Sequence, residues 1–175
     1  TRAIVRQPSH SSVNGLRAVD VGAPDVTAFR AHHADYVRAL EGAGVAVTVL
    51  PALEPYPDSV FVEDTALCLP YGAVLMRPGA PSRSGEVSAI APTLRSFYDQ
   101  VIELDSGFVE GGDILVTERE ILVGTSARTD EAGVASLGRV VGAWGHRLRV
   151  VQTPADVLHF KTDCSLLDED TILST

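Results

Sequence analysis

The chain has 175 residues, of which 45% are hydrophobic and 21% are charged, and its net charge is −9. This length and composition predict one folded domain with a buried core and argue against a disordered chain. The acidic charge disfavours nucleic acids and anionic membranes as partners and would attract a small cation. No apolar run reaches the roughly 20 residues of a membrane helix, and the first residues lack the pattern of a signal peptide.

The first predicted elements are a strand, a loop, a helix and a second strand. The strand AIVRQ is followed by a polar loop over residues 8–24, and loops of that length are typically functional or mobile. Apolar residues then recur every three or four positions from Asp25 to about Glu41, which predicts an amphipathic helix. The β-branched residues of VAVTVLP predict the next strand.

The rest of the sequence repeats a pattern of two strands, a helix and a strand. In the first copy, SVFVEDTALCL and AVLMR precede a helix from about Gly85 to Tyr98 and the strand QVIEL. In the second, GFVEGGDILV and ILVGTS precede a helix from about Asp130 to Trp144 and the strand RLRVVQ. A third copy opens at DVLHFKTDCSLL, turns at DED and ends at TILST. A period of about 45–50 residues predicts a radial α/β repeat architecture, here as a single domain over residues 1–175.

Carboxylates recur in the predicted first strand of each copy. Asp58, Glu63 and Asp64 lie in PDSVFVED, while Glu110 and Asp113 flank a glycine pair in VEGGDIL. A charge buried in an apolar strand costs several kcal/mol unless it is paired, so these acids indicate a ligand, a partner charge or a turn. Solvated acids at a strand end are an equal alternative for the first motif taken alone. Strand alternation puts Glu63 and Asp64 on opposite faces, so one of them is predicted to point into packed structure.

Basic side chains occupy matching places in the copies. Arg83 follows Glu63 by 20 residues and Arg128 follows Glu110 by 18, each just before a predicted helix. We interpret these arginines as partners of the acids or as grips for a ligand carboxylate, with surface residues or structural ion pairs as alternatives. His159 takes the place of the acids in the third copy, which favours a pocket role over a buried core histidine. Equivalent positions in a ring converge, so these side chains are expected to share one pocket.

Other motifs carry weaker signals. Cys68 and Cys164 lack CxxC spacing and are interpreted as buried, reduced residues of a cytoplasmic protein, with a single disulfide as the alternative. The nearest zinc-like pair, a histidine and an aspartate four residues apart in the third copy, would require a helix, so no metal is expected. Gly111 and Gly112 indicate a bulge or tight bend, or a backbone that a flat ligand could approach closely.

Five motifs together resemble one known family. PDSVFVED, RPGAPSRSGE, EGGDI, GTSARTD and LHFKT occur in the order and spacing of the dimethylarginine dimethylaminohydrolases, which belong with arginine deiminase to the guanidino-modifying enzymes. The resemblance runs through nearly the whole chain. It implies an α/β propeller of ββαβ units with pseudo-fivefold arrangement, of which this chain would supply about the first three. It also implies hydrolysis of Nω-methylated arginine to citrulline and an amine through a covalent cysteine intermediate, without metal or cofactor.

The resemblance implies roles for individual residues. His159 resembles the general acid and base, and Glu110 resembles the carboxylate that works beside it and orients the guanidinium. Asp64 resembles the second acid that holds the guanidinium. The remaining implied contacts to this small-molecule substrate or its neighbours are Leu16 in the early loop, which would belong to a lid, Asp58, Glu63, and the carboxylate grips Arg83 and Arg128.

The resemblance also implies a missing part. The nucleophilic cysteine of the family lies in the last unit, and neither Cys68 nor Cys164 matches its motif. The 175 residues are therefore expected to be a truncated propeller that is inactive alone, with interfaces that a homodimer or the C-terminal segment would cover. An arginine deiminase-like enzyme stays open, although the short connection from FVED to SRSGE argues against it. A non-catalytic module that binds an arginine-like ligand and a metal-dependent hydrolase are further alternatives.

Overall fold

The computed structural model of the chain describes residues 1–168 and 171–174. It divides into two compact units, Thr1–Val62 and Glu63–Thr175. Strands and α-helices alternate along the described residues, which confirms the predicted α/β class. None of the helices in these ranges has both the length and the hydrophobicity that crossing a membrane requires.

The first unit is built on two parallel strands, β1 (Arg2–Arg6) and β2 (Ala46–Leu50), joined by the helix α1 (Val26–Gly42). The helix begins where predicted because the Asp25 side chain accepts a hydrogen bond from the Ala28 N–H at 3.0 Å, which satisfies one of the unpaired amides of the first turn.

The early loop of this unit is partly ordered by a carboxylate. It contains a short 3-10 helix, His10–Asn14. The two oxygens of Glu54 accept the N–H groups of His10 and Ser11 at 2.9 and 3.0 Å. Backbone amides at the start of this helix are thereby satisfied by a side chain 44 and 43 residues away in sequence.

The second unit contains two sheets of the same topology. In each, the first two strands form an antiparallel hairpin and the third strand, which follows a helix, lies parallel to the second. The elements of the first sheet are β3 (Ala66–Leu69), β4 (Gly72–Leu75), α2 (Glu86–Phe97) and β5 (Val101–Glu103). Those of the second are β6 (Ile114–Val116), β7 (Ile121–Thr125), α3 (Glu131–Ala143) and β8 (Leu148–Gln152).

A last hairpin matches the first half of this pattern. β9 (Cys164–Leu166) and β10 (Ile172–Ser174) pair antiparallel. The turn predicted at DED includes residues 169 and 170, which lie outside the described residues. The arrangement of the ββαβ repeats as a closed propeller of five such repeats stays a prediction.

The structure corrects the predicted start of the first strand in each copy. A 3-10 helix precedes each of these strands, over the ranges Val62–Thr65, Gly111–Asp113 and Phe160–Thr162. Glycine and aspartate are disfavoured in strands, which favours a turn at these positions. The acids and the histidine therefore stand on turns that lead into the strands.

The core of the second unit lies between its sheets and α3. Buried apolar side chains come from both sheets and from one face of α3, and the core includes Leu67, Leu69, Val74, Ile121, Val123, Val134, Leu137 and Val141. Strand alternation turns Cys68 away from this core, so that it is exposed between the buried residues Leu67 and Leu69. Cys164 is half-buried, and both thiols are free. The prediction that both cysteines are buried is therefore wrong.

The α3 face should dominate the stability of this unit. Leu137 is fully buried, so Leu137→Ala is expected to lower the free energy of unfolding by about 2–5 kcal/mol, because the removed atoms leave a cavity. Leu167→Ala is the matched control, because Leu167 is 62% exposed and its loss should cost within about 0.5 kcal/mol. Chemical denaturation of both variants checks this, and equal losses would contradict the assigned core.

Candidate functional site

Three side chains in or just before these 3-10 helices meet in one cluster. Asp64 lies within the first of these helices, whereas Glu110 and His159 immediately precede the second and third in equivalent positions. Their carboxylate oxygens and a ring nitrogen lie within 4.8 Å of one another. Glu110 is 0% exposed, Asp64 is 7% exposed, and the His159 side chain is 14% exposed. The structure thus brings together the acid, the imidazole and the second acid that the sequence singles out.

Two glycines make this close packing feasible. A Cβ atom at Gly111 would lie 2.0 Å from the carbonyl oxygen of Glu63, and one at Gly112 would lie 2.7 Å from Cγ of His159. The Gly112 N–H also donates to Oδ1 of Asp64 at 2.8 Å. Of the predicted alternatives for these glycines, the structure has the tight bend, because they belong to a 3-10 helix, and the protein's own atoms occupy the space against their backbone.

Glu110 has hydrogen-bond partners on both carboxylate oxygens. Its Oε2 lies 2.7 Å from Nε2 of His159. Its Oε1 accepts the N–H of Gly79 at 3.0 Å and that of Ala80 at 3.4 Å. Nη1 of Arg128 lies 3.3 Å from Oε1 and 3.4 Å from Oε2. These donors replace the water that the buried carboxylate has lost and fix its orientation toward His159.

The surroundings favour the charged form of both partners in the Glu110–His159 pair. Burial raises the pKa of Glu110, but the hydrogen bond with His159 and the charge of Arg128 outweigh it, so the pKa lies below its ordinary value. Burial lowers the pKa of His159, but the hydrogen bond with Glu110 and the charges of Asp64 and Asp113 outweigh it, so the pKa lies above 6.5. The two shifts together favour the pairing of a carboxylate with an imidazolium.

Arg83 is held between two buried carboxylates. Its Nη1 donates to Oδ2 of Asp64 at 2.6 Å, and its Nε and Nη2 donate to Glu86 at 3.1 and 2.8 Å. Burial lowers the pKa of the guanidinium, but its bonds with Glu86 and Asp64 raise it above its ordinary value, so Arg83 stays charged. The role of Arg83 as a grip for a ligand carboxylate stays a prediction, because protein carboxylates already bind its guanidinium.

Arg128 occupies the equivalent place in the next copy but is more accessible. It precedes the first residue of α3 by three positions, as Arg83 precedes the first residue of α2, and its side chain is 19% exposed. Each arginine pairs with an acid of its own copy, Arg128 with Glu110 and Arg83 with Asp64. Glu63, which precedes Arg83 by the repeated spacing, is exposed and pairs with Lys161 instead.

Leu16 and Asp58 belong to the first unit. The Leu16 N–H donates to Oδ1 of Asp58 at 3.0 Å, and Asp58 is 7% exposed while Leu16 is 50% exposed. Asp58 therefore anchors the early loop at Leu16. Their implied contacts to a substrate stay predictions.

The sequence analysis missed two charged residues near the cluster, Glu86 and Lys161, and gave no role to a third, Asp113. Glu86 binds Arg83 from three positions later, the spacing of side-chain pairs on a helix, so a signal for it was available. Lys161 binds Glu63 across 98 residues, and no sequence pattern reports such a pair. Asp113 was noticed beside the glycine pair, but its complete burial could not be read from the sequence.

The cluster of Asp64, Glu110 and His159 fits an organic cation better than a metal ion. Its three donor atoms are close enough to bind a metal. However, Asp64 also binds Arg83, and Glu110 also binds Arg128 and His159, so basic side chains already offset most of the negative charge that would attract a divalent ion. Together with the buried carboxylates of Glu86 and Asp113, the four acids exceed the two arginines and a protonated His159 by one charge. One monovalent cation would balance the cluster.

Comparisons with known proteins agree with this picture. Residues 46–175 match the arginine deiminase family model. The chain is 38% identical over 173 residues to the dimethylarginine dimethylaminohydrolase of Pseudomonas aeruginosa, an alignment that covers 98% of this chain and 68% of that protein. A solved structure of a cysteine-to-serine mutant of that enzyme with citrulline matches with a TM-score of 0.94, at 38% identity, over 98% of this chain and 68% of the other.

A more distant structure shares the fold alone. The N-terminal domain of a cyanobacterial arginine dihydrolase matches with a TM-score of 0.85 at 18% identity, over 98% of this chain and 65% of that chain.

The fold and the matches together define a protein of the guanidino-modifying superfamily, and the matched enzymes of this superfamily cleave a C–N bond of an amidine group. Within that superfamily, the chain belongs to the dimethylarginine dimethylaminohydrolase family. The family resemblance predicted from the five motifs is thereby confirmed.

Replacement of Glu110 should change the titration of His159. Glu110→Gln removes the carboxylate that binds the imidazole, while His159 stays buried. The pKa of His159, followed by NMR of the imidazole, is therefore expected to fall toward or below 6.5. A raised His159 pKa stabilises the fold below about pH 6.5, and this contribution is lost as the pH rises through the folded-state pKa. The unfolding free energy of the parent should therefore decline across that range more steeply than that of the variant.

The control for this titration is Glu63→Gln, because Glu63 is exposed and bound to Lys161. It should leave the His159 titration unchanged. An unaltered His159 pKa in Glu110→Gln would show that the pair does not form in solution.

The Arg83 pair should be a strong structural element. Glu86→Gln leaves a buried guanidinium without one of its charged partners, so it is expected to destabilise the protein by about 3–5 kcal/mol. Glu103→Gln is the matched control, because Glu103 binds Arg95 at the surface and such pairs contribute about 0–1 kcal/mol. Denaturant titrations of the two variants would contradict the assignment if their losses were the same.

Proposed function

We propose that this chain supplies the guanidinium-binding acids and the acid–base pair of an enzyme that hydrolyses Nω-methylated arginine to citrulline and an amine. The observation that carries the proposal is the 2.7 Å contact between Nε2 of His159 and Oε2 of Glu110. It lies beside Asp64 in a cluster with one excess negative charge. Family membership supports the same activity.

Asp64 and Glu110 would hold the substrate guanidinium. A guanidinium is planar, cationic and rich in N–H donors, and carboxylates bind it through short charge-assisted hydrogen bonds. In this proposal Arg83 fixes Asp64, and the more accessible Arg128 grips the substrate carboxylate. Leu16, Asp58 and Glu63 stay proposed contacts to the substrate or its neighbours, on the family resemblance alone.

His159 would move the protons of the reaction. A cysteine thiolate attacks the central carbon of the guanidinium and forms a C–S bond. His159, as imidazolium, donates its proton to the leaving amine as the C–N bond breaks. The neutral imidazole then takes one proton from water as the water oxygen attacks the same carbon. The C–S bond breaks and the thiolate leaves, while the second water proton passes to solvent as the C=O bond of citrulline forms. The raised pKa of His159 favours the charged form that this first step requires.

Neither cysteine of these 175 residues is suited to be the nucleophile. Desolvation of its thiol raises the pKa of Cys68, although the residue as a whole is exposed, and this outweighs a hydrogen bond with Tyr98. Burial also raises the pKa of Cys164. Because the thiolate is the reactive form, we propose that the nucleophile is a cysteine outside these 175 residues. The chain alone would then bind ligand without turning it over.

The assembly is part of the same proposal. The two three-stranded sheets each have the ββαβ order, the parallel pair of β1 and β2 with α1 matches the second half of this order, and the β9–β10 hairpin matches its first half. We propose that such units form the five-unit α/β propeller. A homodimer or pairing with the C-terminal segment, the absence of a cofactor, and a cytoplasmic location complete the proposal.

A second candidate substrate is unmethylated arginine. The match of residues 46–175 to the arginine deiminase model supports it. Both reactions would use the same acids and histidine, so the choice rests on the ligand that the pocket prefers. Calorimetry with dimethylarginine and arginine separates the two, and tighter binding of arginine would favour the second candidate.

Ligand binding by the 175-residue chain tests the proposal directly. Dimethylarginine and citrulline are expected to bind in calorimetry, without turnover above the buffer rate. Asp64→Asn removes a charge-assisted hydrogen bond and should weaken dimethylarginine binding about tenfold or more. The exposed Asp99→Asn is the matched control and should bind as the parent does.

Two outcomes would overturn parts of this proposal. If neither dimethylarginine, citrulline nor arginine binds to the folded protein, the assigned pocket is rejected. If a preparation whose intact mass confirms 175 residues hydrolyses dimethylarginine robustly, the nucleophile lies within the chain.

A further inference from the structure

Asp113 is a buried carboxylate that joins three segments of the second unit. It is 0% exposed and stands at the end of the Gly111–Asp113 helix. Its Oδ2 accepts hydrogen bonds from the hydroxyls of Ser126 at 2.7 Å and Thr129 at 2.6 Å, both between β7 and α3. Its Oδ1 accepts the N–H of Phe160 at 2.8 Å.

The bond to Phe160 constrains His159. The donated N–H belongs to the peptide that joins His159 to Phe160, so holding it restricts the backbone rotation that aims the imidazole. His159 is extended there, with φ −140° and ψ 152°. Phe160 is also seated against β7, because a Cβ atom at Gly124 would lie 2.5 Å from Cβ of Phe160.

The same carboxylate is linked to the backbone of Glu110. The Glu110 N–H donates to Oγ1 of Thr129 at 3.2 Å, and that hydroxyl donates to Asp113. The backbones of Glu110 and His159 are therefore tied through Thr129 and Asp113, while their side chains meet at Oε2 and Nε2. The bonds close a ring, in which each link limits how far His159 can move from Glu110.

The partners of Asp113 differ from those of the other buried acids of the second unit. Asp64, Glu86 and Glu110 bind arginines, whereas the hydrogen bonds of Asp113 found among the described residues come from neutral donors. Burying a carboxylate with neutral donors alone costs free energy. The charge of Asp113 also raises the pKa of His159.

We propose that Asp113 is a positioning residue for His159, which holds the His159–Phe160 peptide so that the imidazole stays on Glu110. This inference rests on the proposed role of His159 as the acid and base. Asp113 itself touches neither the substrate nor the reacting atoms in this proposal, and it acts through the peptide bond of another residue.

A matched pair of variants isolates the peptide hydrogen bond. Phe160→Pro removes both the aromatic ring and the N–H, whereas Phe160→Ala removes the ring and keeps the N–H. Proline is tolerated at the first position of a helix, and the extended His159 before it suits a proline. The His159 pKa, followed by NMR, should be about one pH unit lower in Phe160→Pro than in Phe160→Ala, the equivalent of one hydrogen bond to a charged group.

Asp113→Asn provides a second measurement if Phe160→Pro does not fold. It keeps the shape of the side chain and removes its charge, so the His159 pKa should fall, both because that charge no longer acts on the imidazolium and because the Phe160 N–H is held less tightly. The inference requires this fall, and the Phe160 pair isolates the peptide hydrogen bond. Its control is Asp105→Asn, because Asp105 also binds serine hydroxyls, those of Ser136 at 2.6 Å and Ser106 at 2.9 Å. The control should lower the melting temperature without moving the His159 titration.

The titrations separate this inference from the proposed function, because they need no substrate. A folded Phe160→Pro whose His159 titrates as in Phe160→Ala would overturn the inference, and so would an unchanged titration in Asp113→Asn. If the expected shifts occur but no methylarginine or citrulline binds to the parent, the positioning role stands and the proposed function fails.

Discussion

A carboxylate can be buried only when hydrogen bonds or opposite charges replace the water it loses. Glu110 is fully buried, and the structure around it is organised by this requirement. Backbone amides reach one oxygen, Arg128 approaches both, and His159 lies on the other oxygen. The glycines after Glu110 allow the neighbouring turns to come close enough to form these bonds.

The repeat meets this requirement twice with different results. In the first copy, Asp64 binds Arg83, and the remaining donors of Arg83 turn to a second buried carboxylate, Glu86. In the second copy, Glu110 binds Arg128 at longer distance, and its other partner is a titratable histidine. The first arrangement is a closed structural ion pair. The second arrangement leaves Arg128 partly accessible and pairs Glu110 with a histidine that can gain or lose a proton. A titratable group of this kind is suited to acid–base chemistry.

Most of the regular elements follow from local pattern. The predicted helix from Asp25 to about Glu41 is observed as Val26–Gly42, because apolar spacing and an aspartate cap are properties of neighbouring residues. The same reasoning failed at the three acidic or histidine-bearing motifs, which look like strands by hydrophobicity. There the polar side chains and glycines favour 3-10 turns, and the strands begin only afterwards. Strand alternation between two buried leucines turns Cys68 outward, against the usual preference of cysteine for burial.

The sequence by itself determined the family, the α/β class and the kinds of side chain that the site would contain, because motif order and periodicity are visible along the chain. Only the tertiary structure decided which acid meets which base. Glu110 and His159 are 49 residues apart, and Glu63 and Lys161 are 98 apart, so packing alone sets these pairs. A 3-10 helix also turns successive side chains by about 120°, where a strand alternates them between two faces. Either rotation separates two neighbouring side chains, and the packing decides that Asp64 is buried against Arg83 while Glu63 is exposed.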